Sequence, residues 1–366
     1  MLNRIETDFA RKAILENLEY FQKRFLNKED GQQFDFPPRI IDVHLGYKGN
    51  PCQNQCVWCY DLKSSVNFLA NRYGPEQISQ LNSEVDKAID WEKDGFSIEQ
   101  VYLAGGGEPT LFPRVTSLIL RKFSKAEKEV WLTTNGLHIK EPLLTQVVDQ
   151  AQGILVSLPG TNQDSYLKNA QFDGFNLAIG TIKSIADLRK SRSKKLALVA
   201  THVFSPSSVE NIEPVIHKLN ELGVDEFRCR YDLFSKPDDP HNQAGKTALQ
   251  EVSQKYPNML MKVLLKSPPE STVPEEYDCN SPFVWPTWNP QHGVFPCAHV
   301  TNPENRIESQ QTNGIYSLVD ITQDPKSVVK QNCHRRCPSR IHWFNLFLNN
   351  HNLNIDGIPQ TSILVK

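Results

Sequence analysis

The central part of the chain alternates between two patterns of hydrophobic and polar residues. Short apolar runs are typical of buried strands, whereas apolar residues that recur every three or four positions are typical of amphipathic helices. The apolar runs predict strands at 40–45, 101–104, 130–134, 154–157, 196–204 and 226–234. The helical period predicts helices at 75–94, 115–123, 143–148, 173–188 and 209–222. Strands that alternate with helices at this spacing predict a parallel sheet with right-handed crossovers.

This alternation predicts an α/β fold with a division into four regions. About six strand–helix units fit into residues 39–235, which is three-quarters of a β/α barrel. Residues 1–38 are predicted to form a helical extension, and the proline-containing range 236–278 a linker or wrapping segment. Residues 279–366 are predicted to form a small C-terminal α+β domain. Functional residues of such barrels lie at the C-terminal ends of the strands.

Composition and charge narrow the possible partners and the compartment. The 366 residues carry a net charge of −2, which gives no reason to expect bulk nucleic acid as a partner. No apolar run approaches the ~20 residues that a membrane helix needs, and the N-terminus lacks the apolar core of a signal peptide. A cytoplasmic protein is therefore expected. In that compartment its eight cysteines favour metal or redox use over a disulfide framework.

Three cysteines, Cys52, Cys56 and Cys59, follow the first predicted strand. Three thiolates can hold three irons of a cubane cluster and leave the fourth iron open. Catalytic metal sites keep such an open position, whereas structural sites fill their coordination shell. A zinc site is an alternative, for which His44 is the only further ligand close in sequence. Three unrelated buried thiols are another alternative.

The spacing Cys-x3-Cys-x2-Cys, with the aromatic Trp58 before its last cysteine, resembles the radical S-adenosylmethionine (radical SAM) superfamily. The resemblance implies that these cysteines are catalytic and ligate a [4Fe–4S] cluster whose open iron chelates S-adenosylmethionine (SAM). It implies reductive cleavage of SAM to a 5′-deoxyadenosyl radical that abstracts hydrogen from the substrate. It also implies the partial (β/α)6 barrel of that superfamily, and an electron donor such as flavodoxin or ferredoxin.

The glycine run after the second predicted strand, from Gly105 to Thr110, looks like the Gly-Gly-Glu-Pro signature of the same superfamily. Glycines let the backbone approach a ligand closely and offer it N–H and C=O groups. The resemblance implies that Gly106, Gly107 and Glu108 bind the amino group of SAM. A tight turn that needs glycine would explain the run without any function.

Polar residues at or near the ends of later strands are further candidates. Thr134 and Asn135, before Gly136, resemble the Thr-Asn-Gly of the superfamily's third strand, although an ordinary Asn-Gly turn explains them equally. Ser157 matches the position that often binds the ribose or carboxylate of SAM, and serine is also common at strand ends without function. His202, on the fifth strand, is either a ligand-binding residue or a core histidine.

The sixth predicted strand carries a charged face. Alternation places Arg228, Arg230 and Asp232 on one face and Cys229 and Tyr231 on the other. Arginines that face the barrel need an anion, such as a carboxylate or phosphate of SAM or substrate, and Arg230 is therefore expected to bind the cofactor. If Cys229 faces inward it could donate a hydrogen atom or an electron, but a lone cysteine is more often a small buried hydrophobe.

Four cysteines of the C-terminal region predict a second metal site. Four thiolates close a tetrahedral shell or saturate a second [4Fe–4S] cluster. With a predicted hairpin between the first two and a Cys-Pro pair at the last, they resemble the twitch or shortened SPASM region of radical SAM enzymes. Full SPASM regions use more cysteines, so one auxiliary cluster is the limit. A zinc site, with His299 or His334 in mixed ligation, is the alternative. The cysteines are Cys279, Cys297, Cys333 and Cys337.

Together these expectations describe a radical SAM enzyme, an oxidoreductase or a related catalyst, with an auxiliary cluster in electron transfer. A small polar substrate, such as a sugar, aminocyclitol or nucleotide, is favoured because the auxiliary region is compact and a separate peptide-recognition domain is not evident. A radical SAM enzyme that modifies a peptide or protein is the first alternative. A non-catalytic binding scaffold stabilised by zinc is the second.

Overall fold

A ten-stranded sheet forms the centre of the computed structural model, which describes residues 37–46, 52–59, 73–93, 95–231, 239–264, 285–297, 306–321 and 362–364. Its main strands are β1 Ile40–Val43, β4 Gln100–Leu103, β5 Glu129–Thr134, β6 Gly153–Ser157, β7 Ala197–Val203, β8 Glu226–Arg230 and β9 Leu260–Leu264. These strands pair in this order and all run parallel. Before β4 lies a small hairpin of β2 Glu92–Lys93 and β3 Phe96–Ser97.

Helices connect the parallel strands, as the alternating pattern predicts. They are α1 Pro75–Asp90, α2 Pro113–Lys125, α3 Leu143–Gln150, α4 Gln163–Ala170, α5 Phe175–Ser191, α6 Ile212–Glu221 and α7 Pro240–Ser253. Short 3₁₀ turns occupy Pro109–Leu111 and Val209–Asn211. The predicted α/β fold with an open, partial barrel is confirmed. The described part of the range 236–278, which composition indicated as a linker, contains α7 and β9 and so adds a seventh strand–helix unit.

The two faces of the sheet differ because successive side chains of a strand point to opposite sides. On the outer face, Ile41, Val43 and Val101 are fully buried in the core that the helices share with the sheet. The alternate residues form the inner face of the partial barrel, where Asp42 and Tyr102 keep part of their surface open. The inner face is therefore the polar and accessible one.

The C-terminal part of the chain adds three strands to the same sheet and forms a separate two-stranded sheet. Its strands are β10 Thr287–Asn289, β11 Gly293–Phe295, β12 Ser309–Thr312, β13 Ile315–Ile321 and β14 Ser362–Leu364. The separate sheet consists of β12 and β13. The predicted hairpin is present as β10 and β11, and β10 pairs in parallel with β1. At the other edge, β14 pairs antiparallel with β9.

A charged contact joins β13 to the barrel. Lys87 of α1 lies 2.9 Å from Asp320 and 3.0 Å from the buried Glu84. The turn before β13 also approaches α1 closely, since a Cβ on Gly314 would lie 3.1 Å from Nε2 of Gln77. These contacts attach the β12–β13 hairpin to the first helix of the barrel.

Several predictions fall on residues that the structure does not describe. They are the extension as far as residue 36, Asp232, the histidines His299 and His334, and the cysteines Cys279, Cys333 and Cys337. Of the four C-terminal cysteines, Cys297 alone lies in the described part of the chain, where it is half-buried after β11. No helix of the described residues is both long and apolar enough to cross a membrane.

Candidate active site

The cysteine loop, residues 52–59, is attached to the end of α4. The backbone N–H groups of Gln55 and Val57 donate to the carbonyl oxygens of Ala170 and Asn169 at 2.7 and 3.0 Å. Both carbonyls belong to the last turn of α4, where helix carbonyls lack partners within the helix. The loop therefore supplies the hydrogen bonds that α4 leaves open, and its position follows that of the helix.

A buried side-chain contact strengthens this attachment. Nδ2 of Asn54, between the first two cysteines, donates to the hydroxyl of Tyr166 at 3.0 Å, and both side chains are buried. Sequence analysis missed α4 altogether. Its signal was the N-terminal cap, where Asn162 accepts from the backbone of Ser165 at 2.9 Å and the Ser165 hydroxyl accepts from the backbone of Asn162 at 3.1 Å.

The three thiols lie near one another in surroundings that disfavour the negative charge of a thiolate. Burial, and then the charge of Glu108, raises the pKa of Cys52 to about 11. Burial, and then Cys52 and Cys59, raises the pKa of Cys56 to about 12. A bound metal reverses this situation, because its positive charge deprotonates a coordinating thiol. As a donor set, three clustered thiols therefore fit an iron–sulfur cluster.

A single metal ion is the simplest group that these thiols could hold. Among the described residues, no group of three or more histidine, cysteine and acidic side chains could hold a single metal ion. In a cubane cluster each cysteine binds a different iron, so its ligands are spread more widely than those of one zinc ion. The described geometry gives no support to the alternative in which His44 completes a zinc site with the three cysteines.

Asn135 links the ends of three strands through its side chain and backbone. Its Nδ2 donates to Sγ of Cys52 at 3.6 Å and to Oε1 of Gln53 at 3.0 Å. Its Oδ1 accepts from the backbone of Leu137 at 2.9 Å, and its own backbone N–H donates to Glu108 at 2.7 Å. The cysteine loop after β1, the glycine run after β4 and the end of β5 therefore meet at this residue.

Glu108 is the buried centre of this network. Its carboxylate accepts from the backbone and hydroxyl of Thr110 at 3.1 and 2.7 Å, from the Thr134 hydroxyl at 2.6 Å and from the backbone of Asn135. Burial raises the pKa of Glu108, and these four hydrogen bonds oppose that rise. Thr134 and Asn135 therefore orient Glu108 in the described structure, and a direct contact of either with SAM stays a prediction.

The glycine run needs glycine for space as well as for backbone conformation. Gly105, Gly106 and Gly107 have φ angles of 77°, 58° and 111°. A Cβ on Gly106 would lie 2.3 Å from the carbonyl oxygen of Gly46, and one on Gly105 would lie 2.6 Å from Nε2 of His44. The His44 ring is buried against this run, and burial lowers its pKa to about 4, so it is neutral. Because the run has no side chains, a ligand can approach its backbone N–H and C=O groups closely.

Ser157 ends β6 on the inner face, beside Thr201 of β7. Their hydroxyls make a long contact of 3.5 Å, and both side chains are partly exposed. The structure therefore places Ser157 where a ligand at the strand ends could reach it. Sequence analysis named Thr201 only as a neighbour of His202, but the paired hydroxyls face the same space.

His202 has a structural position. Its Nδ1 lies 2.7 Å from the carbonyl oxygen of Leu158 and its Nε2 lies 3.0 Å from the Ser208 hydroxyl. The side chain is buried, and burial lowers its pKa to about 4. A neutral imidazole thus connects the segments after β6 and β7, which agrees with a core histidine and not with a ligand-binding one.

The arginines of β8 lie on the inner face, with different surroundings. Arg228 pairs with Glu226 at 2.5 Å, and Glu226 also lies 3.3 Å from Lys262. Arg230 is exposed to water and makes no hydrogen bond or ion pair with the described residues. Protein atoms nevertheless surround the Arg230 side chain, as they surround a side chain at the mouth of a barrel that water can still reach. This enclosure, and then Arg228, lowers its pKa, while the nearby Cys56 thiol opposes that effect.

Cys229 and Tyr231 point to the opposite face, as the alternation predicts. Cys229 is fully buried in the core beneath the helices, and burial raises its pKa well above the usual value. It does not face the inside of the barrel, so the structure places it as a small buried hydrophobe. This position is incompatible with hydrogen or electron donation to a ligand at the strand ends.

Solved structures with the same fold include proteins that bind SAM and peptides. SuiB of Streptococcus suis bound to SAM is 13% identical, with a TM-score of 0.52 over 78% of this chain and 64% of SuiB. SuiB bound to its precursor peptide SuiA is 14% identical, with a TM-score of 0.55 over 91% and 76% of the two chains. The protein anSMEcpe, with bound SAM (AdoMet) and the Kp18Cys peptide, is 15% identical, with a TM-score of 0.53 over 86% of this chain and 84% of anSMEcpe.

These likenesses establish the fold. The chain spans less than two thirds of SuiB in its SAM-bound structure. No protein-family model matches the chain, and no curated protein matches it. The chain nevertheless shares its α/β partial barrel with SuiB and anSMEcpe.

Proposed function

We propose that the chain is a radical SAM enzyme in which Cys52, Cys56 and Cys59 hold a [4Fe–4S] cluster. One observation carries this proposal: Asn135 contacts both Cys52 and Glu108, so the cysteine motif and the glycine-run motif meet in one network. Two separate stretches that resemble one superfamily thereby share one site at the C-terminal ends of the strands. That end of a β/α barrel is where its enzymes carry their active sites.

The cluster and SAM supply the reactive chemistry, which is one-electron cleavage of the sulfonium C–S bond to give a radical that removes hydrogen from the substrate. The chain's own part is to bind and orient. Backbone groups of Gly106 and Gly107, with the carboxylate of Glu108, would receive the amino group of SAM. Ser157 would donate to its ribose or carboxylate, and Arg230, which has no ion-pair partner among the described residues, would bind a carboxylate of SAM or of the substrate.

The C-terminal cysteines are proposed to hold an auxiliary [4Fe–4S] cluster. Four ligands, Cys279, Cys297, Cys333 and Cys337, would leave no open iron, and a closed cluster of this kind is suited to electron transfer. It would accept an electron from a substrate radical during a two-electron oxidation. A flavodoxin or ferredoxin is the proposed donor of the electron that starts each turnover.

A peptide is the substrate that the comparisons favour. SuiB is recorded with its precursor peptide SuiA, and anSMEcpe with the Kp18Cys peptide. The small polar substrate favoured by sequence analysis is kept as the second candidate, because the inner face carries charged groups that either kind of substrate could meet. Coexpression with peptides encoded nearby, followed by mass spectrometry, distinguishes them: a loss of two hydrogens from a peptide supports the first.

Anaerobic reconstitution tests the proposed class. The full chain should turn brown, bind iron and form 5′-deoxyadenosine from SAM with dithionite as reductant. Replacing Cys52, Cys56 and Cys59 together by alanine should remove about half of the iron, because the auxiliary cluster remains, and should abolish 5′-deoxyadenosine formation. Unchanged iron in that variant contradicts the proposal. A colourless protein that contains zinc supports the non-catalytic scaffold instead.

A further inference from the structure

Three aromatic rings lie beside an acidic residue on the inner face of the sheet. This ring cluster consists of Tyr102, Trp131 and Trp285. The Tyr102 ring lies 6.2 Å from that of Trp131 and 5.5 Å from that of Trp285, with interplanar angles of 14° and 39°. Asp42 of β1 is aligned with Tyr102 of β4, which is in turn aligned with Trp131 of β5. Asp42, Tyr102 and Trp131 therefore form one row across three strands, and the Trp285 ring lies against Tyr102.

This row is open to the inside of the barrel. Asp42, Tyr102 and Trp131 each keep part of their surface exposed, whereas the adjacent outward-facing residues Ile41 and Val101 are fully buried. The inward direction of the Trp131 ring follows also from its neighbour on β6, because a Cβ on Gly153 would lie 2.2 Å from the ring. A ligand within the barrel can therefore reach both the rings and the carboxylate.

The carboxylate of Asp42 has no cation to balance it among the described residues. Although water reaches part of the side chain, protein atoms surround it, and this burial raises its pKa to about 7. The Trp285 indole beside the carboxylate opposes that rise in pKa. A positive group beside an acid in this position would stabilise its ionised form.

Other polar atoms around Asp42 also lack partners. On β10, Thr287 is aligned with Asp42 and fully buried, and its hydroxyl makes no hydrogen bond within the described part of the chain. The buried indole N–H of Trp131 is likewise unsatisfied there. Buried polar atoms without partners are rare in native proteins, and they commonly mark the place of a ligand or water.

Among the described residues, few titratable groups face Asp42. From β4 there is the Tyr102 hydroxyl, β10 contributes none, and His44, which follows β1, is neutral. Charged groups elsewhere on the described inner face lie on β5, β8 and β9, and none of them contributes to the pKa of Asp42. These are Glu129, Glu226, Arg228, Arg230 and Lys262.

We propose that Asp42 and the ring cluster bind an alkylammonium group of the substrate. The carboxylate supplies the opposite charge, and the faces of tryptophan and tyrosine rings attract cations. An anion would be repelled by the carboxylate, and a purely apolar group would leave it unbalanced. The inference rests on the proposed function, because it describes a part of the substrate site. The ammonium group can come from a lysine side chain of a peptide or from an amino sugar or aminocyclitol.

Binding of a cation must be linked to ionisation of Asp42. The free site holds a proton below about pH 7, and the ammonium group has to displace it. Affinity for a lysine-type ammonium group, which stays charged throughout, should therefore rise about tenfold between pH 6 and pH 8. A neutral ligand of the same shape should show no such dependence.

The test is a set of ligand titrations on the reconstituted full chain at pH 6 and pH 8. Tryptophan fluorescence monitors binding. The probes are N-acetyl-lysine methylamide with its norleucine counterpart, and glucosamine with glucose. The pH series is read from the lysine pair, because the amine of glucosamine loses much of its charge by pH 8. We expect one charged probe to bind at least tenfold more tightly than its neutral counterpart, and the probe that does so identifies the source of the ammonium group. Equal binding of charged and neutral probes in both pairs overturns the proposal.

Two variants test whether the charge of Asp42 is responsible for binding. Asp42→Asn keeps the shape and removes the charge, so charged probes should bind about tenfold more weakly and lose their pH dependence. Asp187→Asn, at an exposed carboxylate of α5 on the outer side of the sheet, makes the same charge change away from the row and should bind as the wild type does. Unchanged affinity in Asp42→Asn overturns the proposal. If that variant does not fold, the wild-type pH series decides, and a flat series overturns it.

Two measurements, iron content and ammonium binding, distinguish a wrong role for Asp42 from a wrong proposed function. Asp42→Asn should bind as much iron as the wild type and cleave SAM without substrate, since Asp42 contacts neither motif. Loss of iron from the wild type contradicts the radical SAM proposal. Loss of ammonium binding with normal iron contradicts only the role of Asp42.

Discussion

At the scale of single residues, the side chains around the cysteine loop act mostly on one another. The hydroxyl of Thr134 and the backbone N–H of Asn135 are used to hold Glu108, while the Asn135 amide reaches Cys52. An amide N–H that donates to a cluster sulfur is one of the means by which a protein sets the potential of the cluster. Asn135 is therefore best understood as a positioning residue that connects two motifs.

Gly106→Ala should destabilise the protein and abolish SAM binding. The φ angle of 58° disfavours alanine, and its Cβ would lie 2.3 Å from the carbonyl oxygen of Gly46. Backbone must move to relieve that contact, and we expect a loss of ~1–3 kcal/mol in the free energy of unfolding. Urea unfolding measures that loss, and equilibrium dialysis with labelled SAM measures the second effect.

Gly180→Ala is the matched control for this substitution. Gly180 lies within α5, and a Cβ there meets nothing within 4 Å. Alanine should therefore stabilise this helix position by ~0.5–1 kcal/mol, with SAM binding unchanged. If Gly106→Ala were as stable as the wild type and bound SAM normally, the glycine run would not be needed for close approach.

At the scale of elements, α4 determines where the cysteine loop lies. The loop has little regular structure of its own, and two of its backbone N–H groups end on the last carbonyls of this helix. The helix is only eight residues long, so its stability depends strongly on its ends. Loss of the N-terminal cap of α4 should consequently increase the exposure of the cysteines.

Asn162→Ala should expose the cysteine thiols in the protein prepared without metal. The substitution removes the cap hydrogen bond to Ser165, at a cost of ~1 kcal/mol in helix stability. We expect alkylation of Cys56 and Cys59 by iodoacetamide to become several-fold faster, because the loop opens when α4 frays. The buried Cys229 serves as an internal reference, and its reaction rate should not change.

Asn211→Ala provides the control for the cap. Asn211 begins α6 without a side-chain cap hydrogen bond, so its removal should leave both stability and alkylation rates unchanged. Equal rates in Asn162→Ala and Asn211→Ala would show that α4 does not control the loop.

At the scale of the whole molecule, sequence reasoning succeeded where periodicity was strong. The parallel strands, the hairpin of β10 and β11 and the outward position of Cys229 all follow from alternation. The unit of α7 and β9 was missed because prolines beside it suggested a linker. The short helix α4 was missed because eight residues carry too little periodic signal, although its cap was visible.

The arrangement of side chains within the site was beyond sequence reasoning. Nothing in the spacing of Thr134 and Asn135 shows that they contact Glu108 instead of a ligand, because that depends on how far β4 and β5 extend beside each other. Asp42 was likewise invisible as a site residue. It lies in an apolar run, and its neighbours Tyr102, Trp131 and Trp285 come together only through strand register.

The pH dependence of stability combines opposing effects from buried groups. His44 and His202 have folded-state pKa values of about 4 against an ordinary 6.5. The unfolded chain therefore takes up protons that the folded chain cannot, and each histidine should cost ~2 kcal/mol of stability between pH 7 and pH 5. His292, which is less buried, acts in the same direction. Asp42, whose folded pKa is about 7 against 3.8, binds a proton only when folded and gains ~2 kcal/mol over this interval.

Asp42→Asn should therefore make the protein more sensitive to acid. Urea unfolding at pH 7 and pH 5 should show a loss of stability in the wild type, since Asp42 offsets at most about half of the histidine effect. The variant lacks this compensation, so its loss between the two pH values should be larger by ~2 kcal/mol. The same loss in both proteins would mean that Asp42 has an ordinary pKa, with a cation already beside it. That result would remove the electrostatic reason for an ammonium ligand, whereas the larger loss would establish an uncompensated acid inside the barrel.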